Sequence, residues 1–445
     1  MNQDHPAILN RLIERALSGG ADAADARISM GASLTAEVRE GALETIESEE
    51  SSSVSLRALI GKRQAHVSGA DLSESGLEAL ASRVVDMAKA APEDPYCGLA
   101  SADDLATEFP DLGLDGDDAP SAVTLEARAL EGEAAALAVP EVKQSGHASA
   151  SWSRRESHVA SSNGFAASRH GGTTSTAILA IAERDGAMER DYDSRMERKY
   201  ASMPSPAEIG RIAGERAAAR LGARKIESTT APVIFHRRLS ASLVGAFTNA
   251  ISGPAVARGV SFLKDKLGEQ VFAKGVNIVD EPLRRGGFGS RAFDGEGRPV
   301  ETRKLIDGGV LTQWLLSGPS AMQLGLSPNG FASMGFGDPP GVSTSNLDLQ
   351  PGEKDLEGLM AEAGKGLLVT DMFGPSLNPN TGDYSVGVSG FWIEGGEQAF
   401  PVTEVTVAGD LISMFARLVP GSDLEIRGAT NAPSLLIDGL TLAGR

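Results

Sequence analysis

The segment from Pro375 to Val407 constrains the fold of this chain more than any other. It opens Pro-Ser-Leu-Asn-Pro-Asn-Thr-Gly-Asp-Tyr, where Asn378, Asn380, Gly382 and Asp383 supply turn chemistry and tolerate positive φ. Ser385–Ile393 then alternates small and apolar residues at period two and predicts a strand. Gly395-Gly396 predicts a hairpin turn into a second strand, Gln398–Val407. Gly387 and Gly390 fall inside the first strand, where glycine weakens packing and marks close approach of another backbone. Two readings follow: an extended peptide lying along a sheet edge here, or an ordinary core hairpin with bulges.

Upstream, the pattern is α+β. Pro6–Ser18 has helical apolar spacing and stops at Gly19-Gly20. Ala23–Met30, Leu34–Arg39, Ser52–Ile60 and Gln64–Val67 read as strands, and Ser73 caps a helix to about Ala90. Residues 91–120 hold nine acidic residues, four prolines and no Lys or Arg, the composition of a linker or surface loop. Asp115-Gly-Asp-Asp118 in this stretch lacks calcium-loop spacing.

A second unit starts at Ser121 with a helix to Val139. Strands follow at Val142–Trp152, Glu156–Ser162, Phe165–Arg169, Thr173–Arg184 and Met188–Tyr200, then a helix from Pro206 to Leu221 capped by Ser205. A third unit begins near Ser228. Its first strand, Ala231–Phe235, leads into a helix, Leu239–Ile251, small and apolar nearly all round and so expected to be buried deeply. Short strands at Val276–Asp280, Val310–Leu316 and Gly366–Met372 lead to the hairpin, a helix at Asp410–Leu418 and a last strand at Leu435–Leu442. The expected organisation is an N-terminal α+β domain (1–90), an acidic linker (91–120), a central strand-rich segment flanked by helices (121–224) and a C-terminal β-rich domain with a buried helix (228–445).

A formal net charge of −19 leaves no cationic footprint for nucleic acid. Arg184–Lys199, the one Arg-rich stretch, carries as many acids as bases and reads as a solvated strand face. No apolar run approaches the ~20 residues of a membrane span, and the N-terminus carries no signal-peptide pattern. A single cysteine, Cys97, excludes an internal disulfide, and its acidic neighbours would raise a thiol pKa. These features predict a cytoplasmic protein.

The residues for metal or nucleophile chemistry are sparse. His5, His66, His147, His158, His170 and His236 include no HxxxH or HExxH pair. His147, His158 and His170 fall on or beside neighbouring strands and are the candidates for a three-His site. No Gly-x-Ser-x-Gly elbow stands between a strand and a helix. Gly286-Gly-Phe-Gly289 and Gly335-Phe-Gly337 lack the Lys-Ser/Thr and the following helix of a phosphate loop.

Three segments together resemble the TldD/PmbA family, and more closely its PmbA (TldE) branch: Pro232–Phe235 with Leu243–Gly253, Leu311–Ser317, and Asn378–Glu397. The resemblance extends over nearly the whole chain. It implies a metallopeptidase assembly that degrades unstructured peptides and processes peptide precursors. In the TldD branch a His-Glu-x-x-x-His helix and a cysteine hold zinc. The matching positions here are Val244, Gly245 and Asn249, and the loop Asn380–Asp383 has no cysteine. The resemblance therefore implies no catalytic residue and no zinc in this chain, with zinc and the general base supplied by a TldD-type partner.

On this reading Asn380, Gly382, Asp383, Tyr384, Gly387, Ser389 and Gly390 form the loop and strand offered to an unfolded peptide substrate. A homodimer in the partner's absence stays open. So do two alternatives: a peptidase in its own right, or a scaffold or binding protein without a proteolytic role, the class to which the family's older description as a modulator of DNA gyrase belongs.

Overall fold

The structure, a computed structural model, describes residues 4–333 and 339–444. The Gly335-Phe-Gly337 motif lies outside the described residues.

The first half is built on one large antiparallel sheet. Helix α1 (His5–Ser18) precedes β1 (Ala23–Arg39), β2 (Ala42–Ile60) and β3 (Arg63–Gly69), and α2 (Glu74–Ala90) follows them. After the acidic segment come α3 (Ala122–Leu137), β4 (Val142–Ser161), β5 (Ala166–Arg184), β6 (Ala187–Glu197) and α4 (Pro206–Ala219). The strand order is β3-β2-β1-β4-β5-β6, so the units expected at 1–90 and 121–224 share a single six-stranded sheet. Their seam is the β1–β4 ladder from Asp25↔Ser161 to Val38↔Ala148.

The expected caps form. Ser73, Ser121 and Ser205 accept hydrogen bonds from the main-chain N–H of Gly76, Thr124 and Glu208. Pairs of strands expected to be separate, such as Ala23–Met30 and Leu34–Arg39, are continuous, because the neighbouring strand carries the ladder through the break. Helices α1 and α2 cover one end of the sheet around Leu9, Leu12, Ile28 and Leu56. Helices α3 and α4 cover the other around Leu125, Ile178 and Ile209.

The second half contains a closed barrel. Strand β7 (Thr229–Phe235) leads into α5 (Arg237–Ala250) and α6 (Gly253–Ala257). Short elements follow: β8 (Ile278–Asp280), β9 (Arg303–Asp307), β10 (Val310–Leu311), α7 (Gly318–Leu324), β11 (Ala332–Ser333), β12 (Gly341–Val342), β13 (Leu347–Leu349) and α8 (Leu356–Ala363). Then come β14 (Lys365–Leu377), β15 (Asp383–Glu394), β16 (Glu397–Asp410), α9 (Leu411–Arg417), β17 (Val419–Pro420), β18 (Thr430–Asn431) and β19 (Leu435–Ala443).

Strands β16-β15-β14-β7-β19 are neighbours in that order, and pairing of Thr406–Ala408 with Thr441–Ala443 closes the ring. Closure removes the free edges of these strands. A core of Val233, Phe235, Leu367, Val369, Val386, Val405 and Ile437 runs into a second layer built on Phe247, Phe272 and Phe415. Phe272 and Phe415 stack at 4.6 Å, and Phe247 meets both edge-on.

The acidic segment is not a free linker. Cys97, Ala100, Ala106 and Leu112 are buried. The stretch 105–118 runs extended between the sheet and the C-terminal half, held by main-chain bonds Ala106 N–H to Gly297 O, Gly286 N–H to Leu112 O and Gly172 N–H to Leu114 O. Gly116 and Gly172 pass in direct contact. The apolar residues scattered among the acids let the segment pack.

Candidate functional site

Helix α5 grows from a barrel strand. His236 follows β7 directly and caps the helix, its Nδ1 accepting from Arg238 N–H at 3.3 Å. Ser240 Oγ donates back to the His236 carbonyl at 3.0 Å. Ser240, Leu243, Val244, Phe247 and Ala250 form the buried stripe. The helix is therefore not buried all round as its composition suggests. Its small residues line an open face that includes Ser242 and Asn249, both exposed.

The three positions implied by the resemblance do not share a face. Val244 is 2% exposed and packs in the core. Gly245 and Asn249 stand one turn apart on the open side, and a Cβ on Gly245 would meet nothing within 4 Å. Val and Gly carry no lone pair for a metal, and a lone exposed Asn is a poor ligand for zinc. These residues do not fit the zinc site that the resemblance places on this helix.

The loop 378–383 is a tight turn. Gly382 N–H donates to the Asn378 carbonyl, Asn380 N–H to Asn378 Oδ1, and Thr381 Oγ1 to Asp383 Oδ2 at 2.7 Å. Gly382 has φ 86°. Phe262 N–H donates to the Pro379 carbonyl, and Ser261 Oγ donates to the Ala250 carbonyl. The expected loop and the end of α5 are thus joined through Ser261-Phe262. Burial pushes the Tyr384 phenol up to about 12, so it stays protonated near neutrality.

Strand β15 does not offer an edge. It pairs with β14 from Tyr384 to Glu394 and with β16 from Asp383 to Glu394. Main-chain recognition of a peptide alongside Ser385–Ile393 is therefore excluded, since both rows of hydrogen-bonding groups are used within the barrel. The two glycines have packing causes: a Cβ on Gly387 would sit 2.3 Å from the Phe373 ring, and one on Gly390 would sit 1.9 Å from the Leu368 carbonyl oxygen. Ser389 is buried, its hydroxyl 3.3 Å from Thr403 Oγ1.

The three candidate histidines, His147, His158 and His170, do not converge, though His158 lies against the His5 ring at 5.1 Å. His147 bonds Ser149, His158 bonds Ser168 and lies 3.0 Å from Glu156, and His170 lies 3.4 Å from Asp115. Among the described residues no group of three His, Cys, Asp or Glu is placed to hold a metal ion. Burial, more than the neighbouring Asp94, raises the Cys97 thiol.

A charged cluster at the start of α5 was not visible in the sequence. Only one face of Arg184–Lys199 is solvated, through Met188, Arg190, Tyr192, Ser194 and Met196, while Asp191 and Asp193 on the other face of β6 are buried. Asp193 Oδ1 accepts from Arg195, Arg216 and Arg427 at 2.9, 2.8 and 3.3 Å. Asp191 takes Arg238 of α5 and lies 3.5 Å from Arg220, which also reaches Asp371 of β14 at 3.1 Å. The cluster ties β6 and α4 to the barrel. Apart from Arg195, its partners lie far from β6 in sequence, so the equal count of acids and bases that assigned the run to solvent could not show which of them are buried together.

The open space lies elsewhere. A cleft of about 1150 Å³ lies between the polar face of β1, β2, β4 and β5 and the loop 288–293, with Phe109–Leu112 of the acidic segment also lining it. Its lining includes the exposed Arg154 and Arg155 together with Phe109 and Phe288.

Sequence comparison matches three successive domains of one family to this chain: PmbA/TldA metallopeptidase domain 1 at 24–88, the central domain at 115–221 and the C-terminal domain at 228–444. The chain belongs to the PmbA/TldA metallopeptidase family. Metalloprotease PmbA of Escherichia coli O157:H7 is 32% identical over 98% of this chain and 96% of its own length. A Haemophilus influenzae homologue of PmbA is also 32% identical, over 97% of this chain and 94% of its own.

The fold of this PmbA/TldA member is shared with a Bacteroides thetaiotaomicron protein described as a candidate modulator of DNA gyrase (TM-score 0.92, 25% identity, 100% of both chains). It is shared also with TldE from Thermococcus kodakarensis (TM-score 0.87, 18% identity, 98% of this chain and 100% of that one). Among the described residues no helix is long and apolar enough to cross a membrane.

Proposed function

We propose that this chain is a non-catalytic subunit of a heteromeric metallopeptidase that degrades unstructured peptides and processes peptide precursors, with zinc and the general base carried by a TldD-type partner. One observation carries the reading: the helix that would bear the ligands keeps its place beside the barrel while presenting Val244, Gly245 and Asn249. A metallopeptidase needs a metal held by three protein ligands and a group that takes a proton from the bound water. This helix supplies neither. A single cysteine fits a reducing, cytoplasmic setting.

On this proposal the space for an unfolded peptide in this subunit is the cleft above β1, β4 and β5, since β15 is closed on both edges. The chain's own segment 105–118 supports this, lying there extended and held by main-chain bonds. Such contacts are tolerant of sequence.

The test is reconstitution. The purified chain alone should contain less than about 0.1 zinc per chain and cleave no unfolded peptide, as expected of a helix without ligands. Adding a homologue with the His-Glu-x-x-x-His helix should give zinc-dependent turnover that requires both chains. Turnover by the chain alone that is lost on chelation would overturn the proposal.

A further inference from the structure

The six-stranded sheet has a long free edge. Strand β3 pairs with β2 only from Val54 to Ile60. The preceding residues, Ala42–Ser53, are laddered to β1 on one side, and among the described residues nothing pairs with their other side. At about 3.3 Å per residue this edge is about 40 Å long. Ten of its twelve residues are exposed, and on one face Glu49, Ser51 and Ser53 border the cleft described above. Leu43 and Ile46 are exposed among them.

The edge has one sign of charge. Its sequence is Ala-Leu-Glu-Thr-Ile-Glu-Ser-Glu-Glu-Ser-Ser-Ser, with no Lys or Arg. Glu44 lies 3.3 Å from Arg39 on the same hairpin. Among the described residues Glu47, Glu49 and Glu50 have no ion pair, and their neighbours on β1 are Thr35, Ser33 and Ala32. By strand alternation Glu47 and Glu49 project on one face and Glu50 on the other. A long exposed edge is a template for another strand, and like charge along it restricts which strand can pair.

We propose that Ala42–Ser53 is the docking edge for a basic edge strand of a partner subunit, which extends this sheet across the interface. The inference rests on the reading of the chain as a subunit of a heteromer. A second copy of this chain is disfavoured, because it would bring four more glutamates and no cation to the seam. A lone peptide would cover the edge and leave both faces wet, whereas a folded chain covers all three sides. Partner selection then comes from cross-strand charge pairs, and assembly weakens as salt rises.

The experiment is amide hydrogen exchange on the chain alone and on its complex with a homologue carrying the His-Glu-x-x-x-His helix. Exchange across Ala42–Ser53 should slow at least tenfold in the complex. A Glu47→Lys/Glu49→Lys/Glu50→Lys variant should keep its circular dichroism spectrum and bind the homologue at least tenfold more weakly. If the complex forms while Ala42–Ser53 exchanges as in the free chain, this inference falls and the subunit reading stands. If no complex forms, the subunit reading falls and takes this one with it.

Discussion

Gly390 lies against the main chain of Leu368 so closely that a Cβ on it would stand 1.9 Å from the Leu368 carbonyl oxygen. The contact is between two barrel strands, and backbone cannot swing aside as a side chain can. Gly390→Ala should therefore cost roughly 3 kcal/mol or more, at the high end for overpacking. Gly387→Ala should cost less, because the ring it meets belongs to the exposed Phe373. Urea unfolding of both variants checks the order; equal, small losses would contradict it.

Gly245 offers the opposite case. It sits inside α5 with open space where a Cβ would go. Gly245→Ala should raise stability by about 0.5–1 kcal/mol through helix propensity. A loss measured in the same urea series would show that the open face is not open.

The buried acid Asp193 holds three arginines, and removing it leaves them without that partner. Asp193→Ala should destabilise by about 3–5 kcal/mol, the penalty of breaking a buried ion pair. Differential scanning calorimetry would register this as a markedly lower Tm.

His236 makes the fold sensitive to acid. Burial, with Arg237 and Arg238 alongside, pushes its imidazole from 6.5 down to about 4. The unfolded chain gains a proton below about 6.5 that the folded chain does not take up until about 4. Stability from this group is therefore complete above 6.5 and is lost as pH falls toward 4, by roughly 3 kcal/mol. His236→Asn retains a capping side chain and should flatten that part of the stability–pH curve; an unchanged slope would place the acid sensitivity elsewhere.

Gly172 and Gly116 touch backbone to backbone where the acidic segment crosses β5. Gly172→Val should push the segment off the sheet. Limited proteolysis should then cut within 105–118 faster than in the parent chain, with the sheet itself left intact.

Local chemistry carried much of the fold. Ser73, Ser121 and Ser205 announced their helices, and the Gly395-Gly396 turn announced the hairpin. Positive φ at both glycines, 63° and 85°, is what that turn demands. Long-range facts were not legible. Period-two alternation in Ser385–Ile393 cannot say whether a strand has one neighbour or two, so the glycines of β15 suggested a ligand where the cause was a neighbouring strand. The small residues of α5 suggested burial all round because Ala, Ser and Gly suit an open face as well as a packed one. Besides Arg195 on the same strand, the acids of Arg184–Lys199 found their arginines on α4, α5 and the loop before β18, beyond the reach of any local window. That Val244, Gly245 and Asn249 make a poor zinc set was legible without coordinates, since it follows from their side-chain chemistry.

The barrel is closed by its last strand in chain order. Strand β7 lies between β14 and β19, and both are made long after it, with β19 following every other strand of the ring. During synthesis β7 therefore emerges with neither lateral partner available, and the ring cannot shut until residues 435–443 have left the ribosome. Folding of this half is dominated by contacts distant in sequence, the topology that folds slowly and lengthens the interval in which apolar strands stand open to aggregation or to a chaperone.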